Sequence, residues 1–218
     1  IKLMNKEYFF PIKSSFYLYI LSPSIMFILI MMLWMIYPFN SNLLLFENSM
    51  LYFLCLMSLG VYGLILAGWS SNSSFSMIGA IRSIAQSISY EVVFSIIILI
   101  ILTNINNLNL FNLLNFNKFI NFSMIYFPLM LILIISMLAE INRTPFDLSE
   151  GESELVSGFN IEYSSSKFIL IFLAEYSSII FMMMLFCFMM FFSFNLNMMF
   201  YIKIILMIFF ITWIRMTL

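Results

Sequence analysis

From Ser14 to Ile81 the chain carries a single charge, Glu47, and the rest of that stretch is dominated by Leu, Ile, Met, Phe and Tyr. No water-facing surface can be built from such a segment, because a soluble domain carries roughly 25% charged residues to keep its exterior solvated. The deficit holds throughout: 9% of the 218 residues are charged, 64% are hydrophobic and the mean hydropathy is +1.09. The bilayer must be the solvent for most of the chain. In lipid every backbone polar group has to be satisfied internally, so helices are the economical solution. The expectation is an all-α polytopic membrane protein, 1–218, forming a single transmembrane helical domain.

A helix needs about 20 residues to cross the hydrocarbon at 1.5 Å rise each. Six stretches qualify: 16–37, 49–69, 83–103, 121–141, 166–192 and 198–216. Pro23 and Pro128 are expected to kink the first and fourth, and Lys203 and Arg215 to snorkel from the ends of the last. The Asn-rich connector 104–121 reads as a polar surface loop of low complexity. Six crossings put both ends of the sequence and the loops 70–82 and 142–165 on one side. That side collects Lys2, Lys6, Lys13, Arg82, Arg143, Lys167 and Arg215, against Lys118 and Lys203 on the other. The basic excess marks it as the inside.

Several chemistries are excluded. The chain has no His, and Cys55 and Cys187 lie far apart inside apolar runs, so they read as buried thiols. No phosphate loop or dinucleotide motif is present, no basic tract suggests nucleic acid, and no metal site is expected. Any redox cofactor must belong to another chain.

The acids are few, and their positions carry the most information. Glu91 lies eight residues into the third predicted helix and Glu175 nine into the fifth, which places both about 12–14 Å below the inside surface. Glu140 closes the fourth helix at that surface. A carboxylate at the centre of the hydrocarbon costs about 2.5–3.5 kcal/mol on insertion scales, so the favoured state is a neutral acid or one hydrated inside the bundle. Either suits a proton relay, and the common depth predicts that the helices of Glu91 and Glu175 pack with both carboxyls in one hydrated interior path, Glu140 lying nearer the loop. The bland alternative is a glutamate hydrogen-bonded to Ser or Tyr for packing alone, and for Glu140, near an interface, the two readings weigh about equally.

The second constellation is the inside loop. Arg143, Asp147, Glu150, Glu152, Glu154 and Glu162 interleave with Phe146, Leu148, Leu155, Val156 and Phe159. A charged run is usually a solvated surface. A segment both charged and apolar at the membrane edge instead suits the wall of a cavity for an amphiphilic ligand. A third stretch, Ser70 to Tyr90, is small and polar, and its Arg82 serves either as an inside anchor or as a partner for the acidic loop.

The run Glu140-Ile141-Asn142-Arg143-Thr144-Pro145-Phe146-Asp147-Leu148-Ser149-Glu150-Gly151-Glu152-Ser153-Glu154-Leu155, continuing to Tyr163, closely resembles the chain 1 family of mitochondrial NADH–ubiquinone oxidoreductase, respiratory complex I. The stretches Gly68–Ser73, Ile78–Val92 and Phe172–Tyr176 resemble it too, and the likeness runs through the whole chain in order. The family has eight helices, of which this chain looks like the second to the seventh. The chain starts Ile1-Lys2-Leu3, without Met, and the expectation is an internal stretch of a longer protein.

The resemblance implies a core membrane subunit that is not catalytic alone. It implies that the loop carrying Arg143, Phe146, Asp147, Glu150, Glu152, Glu154 and Phe159 helps form the ubiquinone chamber. It implies, too, that Glu91, Glu140 and Glu175 line an acidic path coupling quinone reduction to proton translocation. The implied partners are ubiquinone, lipid, the other membrane-arm subunits and the hydrophilic quinone-module subunits, with NADH, FMN and iron–sulfur clusters held on partner chains. The implied location is the mitochondrial inner membrane with the ends of the sequence on the matrix side. An abundance of Met (20) and Phe (27) agrees with an AT-rich gene read with a mitochondrial code. Two rivals remain: a structural anchor of a related hydrogenase-type complex, and a stand-alone proton or cation transporter, which would want repeats or cavity-lining Lys or Asp pairs.

The basic asymmetry makes a direct prediction. Single cysteines placed at Ser74 and Glu152 are expected to react with an impermeant thiol reagent from the same side of the membrane. Labelling from opposite sides would overturn the topology.

Overall fold

The structure, a computed structural model, describes residues 2–38, 46–117, 122–149, 151, 158–191 and 198–217. They form α1 (Phe16–Trp34), α2 (Ser49–Ser71), α3 (Ser74–Thr103), α4 (Leu110–Asn117), α5 (Phe122–Ile125), α6 (Phe127–Glu140), a 3-10 turn (Gly158–Asn160), α7 (Ser165–Met190) and α8 (Met198–Thr217), with no strand among the described residues. Five of these helices are long and apolar enough to cross a bilayer: α1, α2, α3, α7 and α8. The chain is a polytopic helical membrane protein.

The fourth crossing departs from a simple span. Pro128 has no N–H to donate to the preceding turn, and the helix breaks at Tyr126 into α5 and α6. The break is shallow, because Tyr126 N still bonds Phe122 O at 2.9 Å and Met130 N bonds Tyr126 O at 2.9 Å. Fourteen residues in α6 span about 21 Å, so α5 is needed to complete the crossing.

Two stretches read as loops from sequence are largely helical. In the polar segment 70–82, only Asn72 and Ser73 lie outside a helix. Asn72 takes the left-handed conformation (φ 52°) that ends α2, as Asn does at helix C-termini. α3 begins two residues later, so its 30 residues run about 45 Å, well beyond the ~30 Å hydrocarbon. The Asn-rich connector contains α4, with Leu110, Leu113 and Leu114 buried. Those leucines recur at helical spacing among the asparagines, and that periodicity outweighs the polar composition. Asn117 at its end donates Nδ2 to Phe188 O and Met189 O at 2.9 Å each, satisfying carbonyls in the last turn of α7 that have no helical partner.

Packing sets the arrangement. α2 lies against α1 and α3, α3 also against α6, and α7 against α1 and α8. Phe53, Phe94 and Phe181 meet in the middle of the core, with ring centroids 5.7 and 5.9 Å from Phe53. At one end of the bundle Ser15 N bonds Ser70 O (3.0 Å), Asn72 Nδ2 bonds Lys13 O (3.1 Å) and Ser165 Oγ bonds Lys6 O (2.8 Å). The start of α1, the α2–α3 turn and the start of α7 therefore share that end.

Small residues let the backbones close there. A Cβ on Gly68 would stand 2.2 Å from Ala80 Cβ, and one on Gly79 would stand 3.0 Å from the Gly158 backbone. Gly68→Ala is expected to force α2 and α3 apart, at about 1–3 kcal/mol, and to lower the thermal stability of the assembled protein. Because the clash is with the Ala80 methyl, the pair Gly68→Ala with Ala80→Gly is expected to recover much of the loss. No recovery in a thermal-melt comparison would contradict the close approach.

Candidate functional site

The end of the bundle that holds the α2–α3 turn also gathers the polar residues singled out above. α6 delivers Glu140 as its last residue, and the chain turns at once: Arg143 N bonds Leu138 O at 3.4 Å and Phe146 N bonds Arg143 O at 2.8 Å. This tight return aims Arg143 inward. It is buried, and its Nη2 donates to Glu175 Oε2 on α7 at 3.3 Å. Its guanidinium carbon also lies 5.4 Å from the centroid of the Tyr176 ring. A guanidinium taken out of water needs a counter-ion, and the aromatic face supplies a second, weaker one.

Beside this ion pair lies a cavity of about 130 Å³. Met26, Leu29, Leu56 and Val61 from α1 and α2 form one wall, and Ser87, Glu140, Asn142, Arg143, Glu175 and Ser178 form the other. The lining is amphiphilic, and the volume is ample for several water molecules at roughly 30 Å³ each. Glu140 is half-buried on it, while Glu140 Oε2 and Asn142 Oδ1 are sequestered with no hydrogen-bond partner among the described residues. Such atoms are costly to leave unsatisfied, so the site suits water or a polar headgroup.

Of the three acids expected on a common path, the structure brings two to the cavity, Glu140 and Glu175. Glu91 is half-buried on α3, one turn beyond the cavity residue Ser87, and stands within electrostatic reach of Glu140. The sequence suggested that the helices of Glu91 and Glu175 pack on each other. Among the described residues they share no extended seam: α3 runs along α2 and α6, and α7 along α1 and α8. Glu140, at the end of α6, is thus related to both other acids, to Glu91 electrostatically and to Glu175 through the cavity they share.

The loop residues divide. Phe146 packs its ring on Tyr90 of α3 at 5.4 Å, with the planes at 60°. Asp147 Oδ1 accepts from Ser149 Oγ at 3.4 Å, and Asp147 O accepts from Gly151 N at 3.1 Å. Phe159 is fully buried and reaches the cavity. Its turn lies on α3 because Gly79 and Gly158 both lack a side chain, and Gly158 takes a φ of 53° that suits glycine. Glu150, Glu152 and Glu154 lie outside the described residues.

Sequence reasoning missed two residues. Tyr163 places its hydroxyl 2.9 Å from Ser22 Oγ and 3.0 Å from Ser70 Oγ, and bonds Ala67 O at 3.2 Å. Its ring stacks on Tyr19 at 4.5 Å, and the Tyr19 hydroxyl donates to Glu162 O. Burial pushes the Tyr163 phenol above the ordinary tyrosine range, so it serves as a neutral hydroxyl. The second is Gln86, which bridges α6 and the loop. Nothing in a polar residue among serines on a long helix marks it as a bridge. Among the described residues no group of three His, Cys, Asp or Glu is placed to hold a metal ion.

A polytopic helical bundle whose buried arginine and two acids surround an amphiphilic cavity at one end defines a membrane protein built around intramembrane charge. The whole chain, residues 1–218, matches the family model described as NADH dehydrogenase. It is similar to NADH-ubiquinone oxidoreductase chain 1 of Aedes aegypti, 47% identical over 218 residues, which cover all of this chain and 70% of the relative. The same protein of Anopheles gambiae is 45% identical over 218 residues and that of Locusta migratoria 47% over 222, each again covering this whole chain and 69% of the relative. The chain belongs to the NADH dehydrogenase family.

The ion pair makes its own prediction. Arg143→Met removes the cation that faces the half-buried Glu175 carboxylate, at up to about 3 kcal/mol. A clear drop in thermal stability of the assembled protein is expected. Adding Glu175→Gln is expected to restore a large part, giving strong coupling in a double-mutant cycle. Additive losses would show that the pair contributes nothing as a pair.

Proposed function

We propose that this chain is a core membrane subunit of a proton-translocating NADH–ubiquinone oxidoreductase of the mitochondrial inner membrane, and that its cavity belongs to the ubiquinone site. The observation that carries the reading is the amphiphilic cavity itself, where Glu140, Arg143 and Glu175 face an apolar wall from α1 and α2. A quinone is such an amphiphile: its headgroup takes up charge on reduction while its tail stays apolar. NADH oxidation, with its flavin and iron–sulfur chemistry, belongs to hydrophilic partner subunits, and this chain is not catalytic alone. The relatives' shared name and the match along the full chain support the assignment.

The coupling role rests on charge. Reduction of the headgroup adds electrons that must be balanced by protons or by movement of positive charge. Arg143 and the carboxylates beside it feel that change directly in a low-dielectric surround. Glu140, with Glu91 next to it on α3, offers a route for the proton away from the cavity. The loop carrying Phe146, Asp147, Glu150, Glu152, Glu154 and Phe159 forms the matrix-side wall in this reading, and the basic excess puts both ends of the sequence on that side. A purely structural anchor would leave a half-buried carboxylate such as Glu140, whose Oε2 has no hydrogen-bond partner among the described residues, without purpose, at a cost that packing alone does not offset.

In the assembled complex, Glu140→Gln keeps volume and removes the titrating proton. Quinone reduction coupled to proton translocation is expected to fall by about a hundredfold or more, within the range for loss of a proton-transferring group. Asp147→Asn is expected to impair quinone reduction as well. NADH oxidation by an artificial acceptor, which bypasses the quinone, is expected to persist in both. Equal loss of the two activities would instead mark Glu140 and Asp147 as assembly residues.

A further inference from the structure

Gln86 is 5% exposed on the fourth turn of α3 and ties two separate parts of the chain to that helix. Its Nε2 donates to Ala139 O and to Phe146 O, both at 2.7 Å. Ala139 immediately precedes Glu140 on α6, and Phe146 lies on the loop beyond Arg143. One amide nitrogen thus spends both hydrogens on two backbone carbonyls seven residues apart, across the segment that turns Arg143 toward Glu175. The orientation of the amide is fixed by chemistry, since the flipped form would point Oε1 at both carbonyls.

The same face of α3 holds the loop a second time. Tyr90 sits four residues after Gln86, on one side of the helix, and its ring packs edge-on against Phe146. Phe146 is therefore gripped by its carbonyl and by its ring from a single helix face. Glu91 follows Tyr90, so the clamp also fixes how far the end of α6 lies from Glu91. Removing the amide would leave the 141–149 turn with its local bonds, Asn142 N to Ala139 O, Arg143 N to Leu138 O and Phe146 N to Arg143 O, the Arg143–Glu175 ion pair and the Phe146–Tyr90 ring contact. Of these only the ring contact ties it to α3, and it is no hydrogen bond.

We propose that Gln86 is a positioning residue, whose doubly donating amide holds the end of α6 and the Arg143–Phe146 turn in register with α3 and so places Glu140 and Arg143 at the cavity. The effect on turnover rests on the quinone-site reading above; the mechanical role does not. In the assembled complex, Gln86→Met retains length and helix compatibility and removes both donors. Hydrogen exchange followed by mass spectrometry is expected to show peptides spanning 141–149 exchanging about tenfold faster or more, as a locally opened turn does, while α1 and α7 keep their protection. Quinone turnover is expected to fall with it, and NADH oxidation by an artificial acceptor to stay unchanged. Gln86→Asn provides the second variant: it keeps the amide and shortens its reach, so it is expected to loosen the same peptides if the Met variant does not assemble. Loosened peptides with unaltered quinone turnover support the clamp and count against the quinone role of the turn. Protection unchanged in an assembled variant overturns the proposal, whatever turnover does.

Discussion

Arg143 is a guanidinium buried inside a bundle whose solvent is lipid, and it cannot be left there alone. Its charge is met by Glu175 and by the face of Tyr176, and those two residues sit on adjacent positions of α7, far along the chain from the turn that carries Arg143. Satisfying one cation therefore obliges α6, the turn after it and α7 to meet at a fixed point. The cavity is a consequence of that meeting. Side chains that must hold a fixed geometry around a charge cannot also relax to fill the space against Leu29 and Leu56. A small amphiphilic volume remains beside the pair.

For the turn to reach α7, the rest of the end has to be thin. Gly68 against Ala80 and Gly79 against Gly158 bring backbones together without side chains between them, as small residues do between helices in membranes, where lipid tails compete equally for apolar contact. Tyr163 then locks the other side of the loop onto α1 and α2 through Ser22, Ser70 and Ala67 O. Each hydroxyl is satisfied, which makes this a polar knot that can be buried at little cost. Loose loops would not hold a buried charge; this one is bound to α1, α2, α3 and α7.

The helical class, the helix break beside Pro128 and the gathering of charge at one end were legible in the sequence, because each follows from a local rule, while α1 runs unbroken through Pro23. Uncharged runs of twenty residues have one solution in lipid, proline removes a donor wherever it stands, and rare charges stand out against an apolar background. What was not legible depended on partners distant in the chain. Asn72 and Ser73 with the serines around them read as a polar loop, yet they form a two-residue turn between two long helices. Leu110, Leu113 and Leu114 were hidden by the asparagines between them. Gln86 and Tyr163 have no sequence pattern of their own, since a bridge is defined by what lies at its two ends.

The acids show the same limit from another direction. Depth along a helix can be counted, and it put Glu91 and Glu175 at similar depths, which suggested a facing pair. Depth says nothing about azimuth or about which helix intervenes. α6, ended by Glu140, stands against α3, and it joins a row rather than closing a pair. Its middle member lies within electrostatic reach of Glu91 and lines the cavity that Glu175 also lines. Glu140 occupies that middle position, at the edge of the cavity and beside the turn that carries Arg143. The Gln86 contacts at the end of α6 thus bear on where Glu140 stands relative to both Glu91 and the cavity.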